Sequence, residues 1–75
     1  MKHKGETKET LTSATFQAKT AYGAKRKAIK DWRQKAKQKY GIKWSLWSRA
    51  KEKERYVWGP SKHANCYVSA KPYRP

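Results

Sequence analysis

Over residues 10–21 the chain alternates, with Ala14, Phe16 and Ala18 on one parity and Thr15, Gln17 and Lys19 on the other. Successive strand side chains point to opposite faces, so this two-residue period predicts a half-buried strand. Gly23 interrupts it, and from Ala24 the period lengthens: Ile29, Trp32, Ala36 and Tyr40 recur every three or four residues and form one helical stripe. Gly41 supplies the helix stop. Lys27, Asp31 and Lys35 stand four apart along the exposed side, where each ion pair contributes only ~0.3–0.5 kcal/mol. The apolar stripe therefore holds this helix.

Beyond Gly41, Ile42, Trp44 and Leu46 alternate with Lys43, Ser45 and Trp47, which predicts a second strand. Residues 49–54 are charged and read as a turn. Residues 55–58 form a short aromatic run stopped by Gly59 and Pro60. Alternation returns over residues 65–70, with Cys66, Val68 and Ala70 on one parity and Tyr67, Ser69 and Lys71 on the other. The expected fold is α+β: one amphipathic helix packed on a small three- or four-stranded antiparallel sheet, in the order strand, helix, then two or three strands. Residues 1–9, polar and charged behind the initiator, are expected as a flexible tail, and residues 10–71 as one compact domain. Residues 72–75 are expected as a loose C-terminal tail, because Pro72 and Pro75 lack ladder donors.

Composition adds the expected partner. The 75 residues include 20 Lys or Arg against 5 Asp or Glu, a formal net charge of +15. Four Trp and five Tyr are too much apolar surface for a wholly disordered chain, yet a domain this short buries only about 60% of its unfolded surface. Self-repulsion at such charge opposes compaction unless a polyanion neutralises it. No apolar run exceeds three residues, so neither a signal peptide nor a membrane span is expected. Attachment to an anionic membrane is disfavoured too, since the apolar stripe of the helix is needed for the core. Cys66 is the only cysteine, which excludes an internal disulfide and a multi-cysteine zinc site. The expected location is the cytoplasm, that of a host if the protein is encoded by a phage.

Lys25, Arg26, Lys27, Lys30, Arg33 and Lys37 lie on the helix, and at about 100° per residue Arg26, Lys30, Arg33 and Lys37 fall in one narrow stripe. Exposed helix faces usually mix signs, whereas here Asp31 stands alone among lysines and arginines. Backbone phosphates match such a ridge. If Phe16, Trp44, Val57 and Val68 face the helix, the alternation turns Gln17, Lys19, Lys43, Trp47, Tyr56, Trp58, Tyr67 and Lys71 to the opposite face. A face mixing Trp, Tyr and Lys suits the stacking of unpaired bases. Lys43, Trp47, Tyr56 and Trp58 complete the expected contact set, although a one-residue slip in register would reverse the faces.

Residues 16–36, with Gly23 ahead of Lys25, Arg26, Lys27, Ala28 and Lys30, resemble the final strand and helix start of double-stranded RNA-binding domains. That resemblance implies phosphate contacts by these lysines. Gly59, Pro60 and His63, followed by Tyr67, resemble the Gly-Pro-x-His loop of the same family, with one extra residue and after the helix instead of before it. The family's first helix is missing and the order is permuted, so the pattern reads as convergent.

Catalysis has few residues to draw on. His3 lies in the expected tail, and Cys66 near His63 falls on the core parity, where a small buried hydrophobe is the better reading. Asp31 is the single carboxylate of the helix, while Glu52 and Glu54 lie in the expected turn, so paired-carboxylate and two-metal chemistry lack their ligands. Gly5, Gly23, Gly41 and Gly59 each stand alone and form no phosphate loop. The expected function is that of a small non-catalytic protein, without cofactor or metal, that binds DNA or RNA and acts as a regulator or inhibitor of phage or mobile-element type. The alternative expectation is an inhibitor that docks its cationic surface on an acidic or nucleic-acid-binding site of a host protein.

Overall fold

The computed structural model describes residues 5–60 and 62–74. Met1, Lys2, His3, Lys4, Ser61 and Pro75 lie outside the described residues, and with them the expectation placed on His3. Strands β1 (Glu6–Thr7), β2 (Leu11–Thr12) and β3 (Phe16–Ala18) precede helix α1 (Ala21–Tyr40). Two 3-10 turns (Ile42–Trp44 and Trp47–Arg49) lead to β4 (Lys51–Trp58), β5 (Ala64–Lys71) and β6 (Tyr73–Arg74). One helix on antiparallel sheet makes this an α+β fold, the class that the periodicity predicts.

β5 is the central strand. β2 and β3 pair with one of its edges and β4 with the other, all antiparallel. Between Thr12↔Ser69 and Phe16↔Cys66 the first edge advances four residues while β5 advances three, so β2 and β3 are one strand broken by a bulge. Ser13 fills the break. Its N–H donates to Val68 O (2.8 Å), and its Oγ accepts from Val68 N (3.0 Å). The N–H of Ala14, turned off the ladder, donates to Asp31 Oδ2 of the helix (2.8 Å). Asp31 is thereby a structural residue that ties helix to sheet, and Lys35 pairs with the same carboxylate (3.2 Å).

Thr20 caps α1, accepting from Gly23 N (3.0 Å), so the helix starts three residues ahead of the predicted Ala24 and takes Gly23 into its first turn. Gly41, at φ 115°, ends it and donates to the carbonyls of Ala36 and Lys37. The buried stripe is Ala24, Ala28, Trp32 and Ala36, all fully buried, whereas the predicted Ile29 and Tyr40 are only half-buried. Small residues win because the helix lies close against Cys66, Val68 and Ala70 of β5, and methyl groups fit where larger side chains do not. Trp32 supplies the bulk of the core. Its Nε1 donates to Ala70 O (3.3 Å), and the Trp47 ring meets it edge-on with centroids 5.1 Å apart.

Several expectations fail here. Ile42–Trp47 is not a strand: Trp44 N donates to Gly41 O (3.0 Å) and Ser45 N to Ile42 O (3.1 Å), curling the chain so that the Trp44 ring is buried beside Tyr40. Residues 51–54 are not a turn but the start of β4, kinked where the register shifts between Lys51 and Glu54 and Glu52 takes φ 51°. The terminal segments expected outside the domain pair with each other, Glu6↔Arg74 and Thr7↔Tyr73, with Lys8 N donating to Pro72 O (2.9 Å). Pro72 is fully buried.

Replacing Ser13 by Ala leaves Val68 N–H without its hydroxyl acceptor in a buried site. Denaturant unfolding of Ser13→Ala is expected to show a loss of about 1–3 kcal/mol with an unchanged m-value; a smaller loss would mean that the bulge needs no side-chain acceptor.

Candidate nucleic-acid interface

The buried stripe of α1 sets the direction of everything charged on it. Arg26, Lys30, Arg33 and Lys37 lie roughly 150° around the helix from that stripe at 100° per residue, and all four are exposed. Sequence periodicity places this ridge beside the apolar stripe. With the alanines buried it stands almost opposite, on the outer surface of the helical layer. Arg33 Nε donates to Ser45 O (3.3 Å), which draws the first 3-10 turn against the ridge. A groove of about 260 Å³ runs between Lys30, Arg33 and Lys37 and the turn residues Ile42 and Ser45. A second, of about 430 Å³, lies over Arg26, Lys27, Ile29, Lys30 and Arg33.

Among the described residues no carboxylate pairs with any ridge cation. The ion pairs are Lys8–Glu6, Lys35–Asp31 and Lys71–Glu52. Lys25 and Lys27 leave the ridge. Lys27 Nζ donates to Gln17 O on the sheet (3.2 Å). Lys25, half-buried, leans toward β4 and lines a pocket with Tyr22, Arg55 and Val57. Lys43 is exposed on the first 3-10 turn, next to Ile42 of the groove.

The sheet's outer face carries the second group of candidates. Tyr56 and Tyr67 sit opposite each other in the β4–β5 ladder with rings stacked at 4.7 Å and 20°, and Trp58 meets Tyr67 edge-on at 5.9 Å. Tyr56 Oη donates to Glu54 Oε2 (2.6 Å). That bond pushes the Tyr56 phenol above its ordinary value, helped by desolvation and by the negative charges of Glu54 and Tyr67. Trp47 is not on this face. It packs against Trp32 and the core, so its expected stacking role is withdrawn. Val57 lies opposite Cys66, on the parity assigned to the helix side, yet it stays 41% exposed at the pocket it shares with Tyr22 and Lys25 of the first helical turns.

Sequence reasoning passed over Tyr22, which is 67% exposed with Arg26 at 5.8 Å over its ring, and Arg55, whose charge faces the helix side of β4. The alternation of Arg55 and Val57 with Tyr56 and Trp58 was the signal for Arg55; reading residues 55–58 for their aromatic rings passed over its charge. Cys66 is fully buried, and burial pushes its thiol up while the positive charges of Arg55 and Lys25 pull the other way. No three residues of His, Cys, Asp or Glu cluster to hold a metal among the described residues, and among them no helix is long and apolar enough to cross a membrane. Compared with known protein families, with curated proteins and with solved structures, the chain matches none.

A reaction rate and a titration probe these environments. Native Cys66 should react with a thiol reagent slower than the unfolded chain by roughly an order of magnitude or more; equal rates would mean an open thiol. Because Tyr56 is stabilised in its protonated form, its ring should ionise later than an ordinary tyrosine as pH rises, and Glu54→Gln should bring it back toward the ordinary value in an NMR titration.

Proposed function

We propose that the protein is a non-catalytic nucleic-acid-binding protein that holds the phosphate backbone on the α1 ridge. The observation that supports this reading best is the set of four exposed cations, Arg26, Lys30, Arg33 and Lys37, on the outer helix surface with no carboxylate partner among the described residues. Cations left unpaired in a row release counterions when phosphates replace them, which drives association whatever the base sequence. Regulation or inhibition, by covering a site that another factor needs, is the role such a binder takes up without chemistry of its own.

A second reading replaces nucleic acid by an acidic protein surface. Ile42 and Leu46, 66% and 41% exposed beside the ridge, favour it, because protein interfaces combine charge at the rim with apolar contact.

Titrating the protein with duplex DNA and duplex RNA across salt concentrations separates the two. For nucleic acid the log affinity should fall linearly with log salt, and Arg26→Gln, Lys30→Gln and Lys37→Gln should each reduce the slope by about 0.9 while weakening all sequences alike. Arg33 is left intact because it also binds Ser45 O. A flat salt response, or no binding to either duplex, would sink the phosphate reading.

A further inference from the structure

Helix and sheet form two layers, and the features suited to nucleic acid lie on opposite outer surfaces. The ridge crowns the helix. Tyr56, Trp58 and Tyr67 lie on the face of the sheet turned away from it, as the ladder register and the burial of Cys66, Val68 and Ala70 under the helix require. We propose that this aromatic face is a second binding surface, for the unpaired bases of a single strand, so that one molecule holds two nucleic-acid segments at once. The proposal rests on the ridge reading for its first segment; the second stands on separate residues.

Three observations carry the sheet face. Tyr56 and Tyr67 are already stacked on each other at 4.7 Å and 20°, and Tyr56, 40% exposed, offers a ring face on which a base can continue the stack. Trp58, 47% exposed, is the most solvent-exposed of the four tryptophans; Trp32 and Trp44 are buried and Trp47 packs on the core. β4 is exposed along all eight residues, Tyr56 and Trp58 among them.

Charge selects the occupant. At the hairpin end of the sheet Lys19 and Lys62 line an open groove of about 560 Å³ with Gln17, Ala18 and His63. Of the two β4 carboxylates, Glu52 is paired with Lys71, while Glu54 accepts from Tyr56 Oη and keeps its charge. Cations beside stacked rings grip phosphates while bases stack, a combination that tolerates any base. A second copy of the chain is disfavoured as occupant, since it would bring another net +15 against this face.

The molecule measures 52 × 20 × 16 Å, so the thickness of helix plus sheet separates the two segments. Their contacts share no residue. Binding on one face therefore leaves the other open, and duplex and single strand should form a ternary complex instead of competing.

The test uses a donor-labelled duplex of arbitrary sequence, an acceptor-labelled oligothymidylate and the full chain. The expected result is quenching of Trp58 emission by the single strand, and energy transfer between the two labels only when protein is present. Tyr56→Ala with Trp58→Ala should cost single-strand affinity about tenfold or more and leave duplex affinity unchanged, while Trp58→Phe, which keeps a ring, should retain single-strand binding. Arg26→Gln with Lys30→Gln should do the reverse. Displacement of the single strand by duplex, or loss of single-strand affinity in the ridge variant but not in the aromatic one, would overturn the second surface. If duplex binds and single strand does not, this inference alone fails; if neither binds, the phosphate reading fails with it.

Discussion

Trp32 is the interaction on which the rest of the molecule depends. Most of the residues around it are small: alanines on the helix, and cysteine, valine and alanine on the central strand. Small residues let the two layers approach closely but bury little area each, so one indole contributes much of the apolar burial of a core that is minimal for so short a chain. The same ring is pinned at both ends, by its hydrogen bond to Ala70 O and by the edge of Trp47. Rotation of the helix about its axis would lose both contacts, and that fixes which helix face is turned to solvent. The position of the cationic ridge is thus a consequence of where one tryptophan is held.

Polar groups do the remaining work of alignment. At the bulge after β2 a serine hydroxyl and an aspartate replace regular ladder partners, joining strand to strand and strand to helix. Lys27 and Lys35 reach back to strand carbonyls at Gln17 and Thr12. Part of the positive charge therefore serves the fold, and the portion left for a ligand is smaller and more localised than the net charge suggests.

Much of the architecture was legible in the sequence because period and punctuation agreed. Cys66, Val68 and Ala70 alternate with Tyr67 and Ser69, and the structure keeps that parity; the helix ends at the glycine that marks its end. Three segments were not legible, each for a physical reason. Residues 42–47 alternate like a strand, but Gly41 redirects the chain and the Trp44 ring gains more by burial beside Tyr40 than a ladder would give it. Residues 51–54 carry charges that suit a turn, yet a strand with neither face buried has no reason to exclude them. Ile29 and Tyr40 are larger than Ala24 and Ala28, and size misled where closeness of approach decides which residues face the sheet. For the candidate site, the ridge followed directly from helical spacing, whereas the separation of Trp47 from Tyr56 and Trp58 required knowing that residue 47 lies on a turn.

Among the described residues no strand pairs with the outer edge of β4, an arrangement that invites sheets to grow from chain to chain. Its sequence works against that. In the registers centred on residues 53, 54 and 55, a second copy adding antiparallel would set Lys53 or Arg55 beside its own counterpart or beside each other, and the kink at Glu52 spoils the straight template that such growth needs. The charged stretch thus acts as a guard rail: the edge stays open enough to display its aromatic rings while like-charge repulsion keeps the chains from zipping into fibres.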